Sequence, residues 1–289
     1  MTLNRKETHE EREKRIYDHE ARFLAAQVIG KNRLTWSGLE NKITEGPNII
    51  VGNHPGYQED ISVIISLYPE RMLRFTANKE LFEKEEVNEL IKRTVVSSSR
   101  KYFRKMLGKR LYEAADVAGD VFAEFFNFIS GPIRNPWAKY LSSRINAVRA
   151  IPVNVLGTNS TNWKDVAASY LQKGEAVVFL QYNKDKKDKD LKIRKHVRSK
   201  YLPEGETGVD EFKYGAFKLA QYMKEQYGMD VPVTPVSIKG TKFFSLPFKK
   251  IKVTFGEPLF IAPYMSEPDP KVALKEKAEK IVVGMYMNS

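Results

Sequence analysis

No cysteine occurs among the 289 residues. Disulfides, thiolate nucleophiles and thiolate metal sites are thereby excluded, and with no signal-like apolar stretch after Met1 the expected compartment is the reducing cytoplasm. Long hydrophobic runs are missing too. Nothing approaches the roughly 18 uncharged apolar residues that a membrane-spanning helix needs, so any contact with a bilayer is expected to be peripheral. Histidine is scarce, at four residues. No second histidine stands near His54, and His196 lies in a charged segment, so a metal-dependent hydrolase is disfavoured and no metal site is expected.

Negative charge falls short of positive: 36 Asp and Glu against 48 Lys and Arg leave a net +12. A surplus of that size calls for an anionic partner, whether nucleic acid, an anionic membrane surface, or a phosphorylated or carrier-bound substrate. Its distribution narrows the choice. Between Lys184 and Lys200 nine Lys or Arg face only Asp185, Asp188 and Asp190, so half of the net charge lies in this one segment. It reads as a basic loop, either a solvated charge block or an anion-attracting arm. Aromatic residues do not interleave with it as a single-strand binder requires, so nucleic acid is not the expected partner.

What is present is an α/β pattern, with 42% hydrophobic residues to fill a sizeable core. Thr8 and Glu11 have capping-box spacing ahead of Ile16, Phe23, Leu24 and Val28, which predicts an amphipathic helix from about Thr8 to Gly30, within residues 1–34. Strands are predicted at Asn48 to Gly52, Met72 to Ala77, Ala150 to Val155, Glu175 to Leu180, Val231 to Ile238 and Lys250 to Phe255. Helices are predicted from Ile61 to Tyr68, from a cap at Ser160 or Thr161 to Leu171, and from Glu211 to Tyr227. Residues 83–145 show no strand pattern and predict a helical insertion, broken near Gly131-Pro132. Within it Val117 to Ile129 is rich in aromatics, but Asp116, Asp120 and Glu124 recur at helical spacing, so a core-facing helix with a solvated stripe is expected there. The expected architecture is a single α/β domain over 35–289, a mixed and mainly parallel central sheet flanked by helices. It carries the N-terminal helix and the helical insertion.

The segment Gly46 to Ile61 draws the chemistry. An apolar run ends in Asn53-His54, then turns through Pro55-Gly56, and Glu59 and Asp60 follow five and six residues after the histidine. A strand that ends in a short polar loop fixes its last side chains at the rim of a rigid sheet while leaving them reachable. A histidine oriented there by a carboxylate can take a proton from a hydroxyl while the carboxylate sets the tautomer. Either acid has the reach, and both remain candidates.

These residues resemble the glycerolipid acyltransferase family, which includes lysophosphatidate and glycerol-3-phosphate acyltransferases. Its members carry Asn-His, four residues, Asp and an apolar run; Asn53-His54 and Asp60-Ile61-Ser62-Val63-Ile64 fit with one extra residue, so Asp60 keeps the apolar run in register and Glu59 keeps the usual count. Ala77-Asn78-Lys79-Glu80-Leu81-Phe82 is similar to the family's Lys-Glu-Leu-Phe stretch, and Ala150 to Asn154 to a segment that ends in Arg, here replaced by Asn154. Leu202-Pro203-Glu204-Gly205-Glu206-Thr207, then Phe212-Lys213-Tyr214-Gly215-Ala216-Phe217, matches Phe-Pro-Glu-Gly-Thr-Arg and Phe-Lys-x-Gly-Ala-Phe, with Glu206-Thr207 in place of Thr-Arg. A second alignment places Phe179 to Lys184 on that block; Glu204 favours the first because it supplies a carboxylate and Gln181 does not. Val231 to Ile238 and Gly256-Glu257-Pro258-Leu259 resemble the closing strand and turn.

The resemblance implies an O-acyltransferase that moves a fatty acyl group from acyl-coenzyme A or an acyl carrier protein to a hydroxyl of a glycerol-phosphate, lysophospholipid or related lipid. It implies His54 with Asp60 or Glu59 as catalytic residues, and Asn53, Lys79, Asn154, Glu204, Gly205, Thr207 and Lys213 as substrate-binding ones, with no cofactor beyond the thioester co-substrate. Backbone N–H groups near Gly56 or from Glu204 to Glu206 are the candidate oxyanion donors. Partners would be the thioester donor, the lipid acceptor and an anionic membrane surface, met peripherally from the cytoplasm. Two missing arginines shift the expected acceptor away from phosphate, because an amide lacks the planar fork of a guanidinium. The competing reading is a catalytically inactive relative that binds an anionic membrane or nucleic acid through the basic loop.

Overall fold

The computed structural model describes residues 7–30, 32–56, 58–108, 111–153, 162–181, 197–241 and 249–289. Two compact units divide the chain: the first takes Met1–Thr76, Asn162–Asn183 and His196–Ser289, the second Ala77–Thr161 and Lys184–Lys195. Strands β1 (Arg33–Ser37), β2 (Asn48–Asn53), β3 (Leu73–Asn78), β4 (Ile151–Val153), β5 (Ala176–Gln181), β6 (Val233–Lys239) and β7 (Lys250–Phe255) form a sheet of order β1-β7-β6-β2-β5-β3-β4. Helices are α1 (His9–Ile29), α2 (Gln58–Ser66), α3 (Lys84–Leu107), α4 (Tyr112–Ala147), α5 (Trp163–Gln172), α6 (Gly215–Tyr227) and α7 (Pro270–Met287).

β2 runs parallel to β5 and β6, β3 to β5, and β1 to β7, while β6 and β7 are antiparallel. The architecture is therefore α/β with a mixed, mainly parallel sheet flanked by helices. Parallel strands covered on both faces read as unbroken apolar runs. Ile49, Ile50 and Val51 of β2 and Val177 and Val178 of β5 are accordingly fully buried. β1 escapes sequence detection because it is an edge strand whose side chains are mostly exposed, leaving no alternation to recognise.

α1 has the expected capping box: Thr8 N–H donates to Glu11 Oε2 at 2.7 Å and Glu11 N–H to Thr8 Oγ1 at 3.2 Å. Its inner face differs from the expected one. Glu13, Tyr17, Glu20 and Val28 are buried while Phe23 is 51% exposed, because the packing is partly polar. Glu13 pairs with the buried Arg74, which also binds Glu175, and Tyr17 Oη accepts the Leu73 N–H at 3.1 Å.

Two further boundaries move, and one helix is new. α6 starts at Gly215, not Glu211, since the N–H groups of Phe212 and Lys213 are held by Glu279 Oε2 at 3.0 Å and Gln181 Oε1 at 2.9 Å, outside any helical ladder. At the start of α5 the cap position belongs to Asn162, whose side chain does not cap the helix; Ser160 and Thr161 lie outside the described residues. α7 was not expected, although Asp269-Pro270 is a fair start signal, with proline in the first helical turn where its missing N–H is harmless.

In the second unit α3 and α4 pack on one another. Ala115, Gly119 and Ala123 form the buried stripe of α4. A Cβ on Gly119 would lie 2.8 Å from Arg100 Cα, so glycine permits this backbone approach. Arg104 grips Asp116 through two bonds of 2.6 Å, and Arg100 grips Asp120. The expected break at Gly131-Pro132 does not occur: α4 runs through Pro132 and Pro136. Each proline removes one N–H and crowds the carbonyl four residues back. Being four apart and exposed, they place both defects on one solvent side while the ladder continues elsewhere.

Candidate active site

β2 delivers its last residues to the carboxyl rim of the parallel sheet, where open α/β sheets hold their ligands. Asn53 ends the strand and His54 begins the turn into α2. His54 Nδ1 lies 2.8 Å from Asp60 Oδ2. The same oxygen accepts the Gly56 N–H at 2.7 Å, so it acts as a carboxylate acceptor and Nδ1 carries the shared proton. Nε2 is then the ring's basic atom. Asp60 is fully buried and the His54 side chain 16% exposed: the acid is shut in while the imidazole keeps a route outward.

Glu59, the other candidate acid, faces elsewhere. Its Oε1 accepts from Asn32 Nδ2 at 3.4 Å and its Oε2 lies 3.6 Å from Lys249 Nζ, residues that precede β1 and β7. The bond to His54 goes to Asp60.

Gly56 is what lets this turn close. A Cβ there would stand 2.4 Å from Thr241 Cβ and 3.0 Å from Asp60 Oδ1. Asp60 Oδ1 and Thr241 Oγ1 are both buried and make no hydrogen bond among the described residues.

Asn53, expected to bind substrate, is taken up by the protein's own backbone. Its Nδ2 donates to Gly208 O and Ile238 O, and its Oδ1 accepts the Ile238 N–H, all at 2.8 Å. Full burial leaves it as a clamp that joins the ends of β2 and β6 to the segment after Thr207. Gln181 ends β5 directly beside Asn53 in the parallel register and accepts the Lys213 N–H. The two segments that competed in alignment are thus neighbours in space, one at a strand end and the other resting on it.

Glu204, Gly205 and Thr207 lie on an exposed turn in which Gly205 adopts a left-handed φ of 85°. The turn closes with the Glu206 N–H on Pro203 O at 3.1 Å. Arg198 Nη1 donates to Pro203 O at 2.9 Å and Glu206 O at 3.4 Å, so an arginine braces this turn from outside the motif. In the sequence Arg198 stands out only as part of the charge of the basic segment. Two candidate oxyanion donors are already engaged, Gly56 N–H by Asp60 and Glu206 N–H by Pro203 O. Gly208 sits at φ 115°, a backbone conformation strained for any other residue, and a Cβ there would displace the Tyr286 hydroxyl, 2.2 Å away.

Lys79 belongs to the second unit, in the 3₁₀ turn Lys79–Leu81 that Asn78 caps. Asn154 and most of the basic segment, 184–196, lie outside the described residues. Among the described residues no cluster of His, Asp or Glu is arranged to hold a metal. Nor is any described helix long and apolar enough to cross a membrane.

No family model matches the chain, and no curated protein matches it in sequence. Among solved structures it is similar to the 1-acyl-sn-glycerophosphate (LPA) acyltransferase PlsC from Thermotoga maritima, at 17% identity and a TM-score of 0.46, over 96% of this chain and 79% of that one.

Proposed function

We propose that the protein is an O-acyltransferase acting on a lipid acceptor, with His54 as general base and Asp60 as its orienting carboxylate. The observation that carries the reading is the 2.8 Å bond from His54 Nδ1 to a fully buried Asp60 at the carboxyl rim of β2. The order of the four sequence blocks around it supports the same chemistry. Nε2 takes the proton of an acceptor hydroxyl as its oxygen attacks the thioester carbonyl. The tetrahedral oxyanion collapses, the C–S bond breaks, and the leaving thiolate recovers the proton from the imidazolium. Products are the acyl ester and a free thiol, with no covalent enzyme intermediate and no resident cofactor.

Acyl-coenzyme A or an acyl carrier protein would be the donor, and Glu204, Gly205, Thr207 and Lys213 would hold substrate near the rim. Lys79 and Asn154 join them by resemblance alone. With Asn154 and Glu206-Thr207 standing where arginines are usual, the proposed acceptor is a lipid hydroxyl without an obligatory phosphate, met at an anionic membrane surface from one side. A thiol-release assay over acyl-coenzyme A and acyl carrier protein, against a panel of lipid acceptors, tests the reading. His54→Ala is expected to lower turnover by a factor of about 10²–10⁴, the usual worth of a general base. Turnover equal to wild type would overturn it, and no thiol release by the native protein with any donor would favour the inactive, surface-binding alternative.

A further inference from the structure

We propose that the α3–α4 hairpin is a docking surface for an anionic lipid bilayer. The residue sizes are inverted relative to a hairpin built for water. The stripe of α4 that meets α3 is small, Ala115, Gly119 and Ala123, and admits close approach of the two backbones. The large apolar residues point out: Val117, Val121, Phe125, Phe128, Ile129 and Ile133 are all exposed, Phe128 at 84% and Ile133 at 76%. Helices in water bury large side chains and expose polar ones. Helices in lipid do the reverse, because hydrocarbon solvates large apolar groups and the helices gain by close packing of small ones.

Two of the three acids that argued against lipid contact are answered inside the hairpin, while the third, Glu124, is exposed. Asp116 is bound by Arg104 and Asp120 by Arg100, so the pairs carry little net charge towards a headgroup layer. The turn end adds the complementary sign. Apart from those two paired arginines, residues 100–110 hold Lys101, Lys105, Lys109 and Arg110 and no acid, with exposed Tyr102 and Met106 among them. A basic end joined to an apolar face suits an anionic interface. A second copy of the chain would bring the same positive ends together. Since no described helix can cross a membrane, the hairpin would lie in the interface.

The inference extends the lipid reading proposed above, and its test is separable from that reading because it measures partition and not turnover. Full-length protein is co-sedimented with phosphatidylcholine vesicles, with and without phosphatidylserine. The native protein is expected to bind the anionic vesicles more tightly, and added salt to weaken that preference. Combined Phe125→Ser, Phe128→Ser and Ile129→Ser, at exposed positions that the fold does not need, should cut partition by at least about tenfold, given the transfer free energy of two phenylalanines. Lys105→Glu with Lys109→Glu should abolish the preference for phosphatidylserine. Wild-type partition of the triple variant would overturn the proposal. So would failure of the native protein to bind either vesicle, or a dimer in solution that the triple variant dissolves without vesicle binding. Vesicle binding by a native protein that releases no thiol would leave the docking surface standing and remove the acyltransferase reading.

Discussion

His54, Asp60 and Gly56 act as one unit at the residue scale. Asp60 Oδ2 receives both the imidazole and the Gly56 N–H, so the carboxylate fixes the ring and the turn together. Gly56→Ala would drive a methyl group to 2.4 Å from Thr241 Cβ, and the turn must shift to relieve it. We expect a stability loss of about 1–3 kcal/mol, the usual cost of overpacking, with a fall in kcat for thiol release larger than any change in KM. Urea unfolding and steady-state kinetics check both. Unchanged kcat at reduced stability would show that the turn does not position His54. The sequence favoured Asp60 by register but kept Glu59 as a candidate, because both lie within reach of His54 along the chain. Neighbours on a helix point in well-separated directions, and only the fold sends one to His54 and the other to Asn32 and Lys249.

Among the elements, α1 holds the sheet in part through a titrating group. Burial pushes the Tyr17 hydroxyl from 10 up to about 12, against the lowering effect of the Leu73 N–H that it accepts. The folded state therefore favours neutral Tyr17. Its contribution is complete below pH 10, where both states are protonated, and is lost as pH rises towards 12, because the unfolded phenol ionises first. The slope is about 1.4 kcal/mol per pH unit in that window. Tyr17→Phe should flatten alkaline unfolding by this amount while costing about 1 kcal/mol at neutral pH for the lost bond to Leu73. Denaturant unfolding over an alkaline pH series reads both effects, and equal slopes in variant and native protein would refute the assignment. Buried Tyr68, also raised by burial, keeps the variant's curve from becoming flat. Element legibility followed burial: β2, β5 and β6 are buried along almost their whole length around apolar runs, whereas β1 exposes most of its side chains. α4 continues through its prolines because proline forbids one hydrogen bond, not the whole helix.

For the molecule as a whole, the end of the chain supports the candidate site. Glu279 of α7 is 1% exposed; its Oε1 accepts Ser199 Oγ at 2.5 Å and its Oε2 the Phe212 N–H at 3.0 Å. Lys275 Nζ lies 3.4 Å from Oε2 and 3.1 Å from Glu211 Oε1. The terminal helix thereby holds both flanks of the turn that bears Glu204. Glu279→Ala would leave Lys275 short of a buried partner and two donors unmet, a loss of about 3–5 kcal/mol. Hydrogen exchange should quicken at Phe212 before global unfolding does, and equal protection there would dismiss the bracing role. Composition and pattern alone determined the class of sheet, the rim histidine with its pair of acids, and the helical character of residues 83–145, because periodicity and turn chemistry are local properties. Which acid serves His54, how Asn53 is used, and that Val117 to Ile129 faces outward and not inward were decided only by tertiary structure. Each depends on what a distant segment brings into contact: Thr241 and Ile238 at the rim, and Arg100 and Arg104 against α4. A linear pattern records how apolar a face is, but not whether another element covers it.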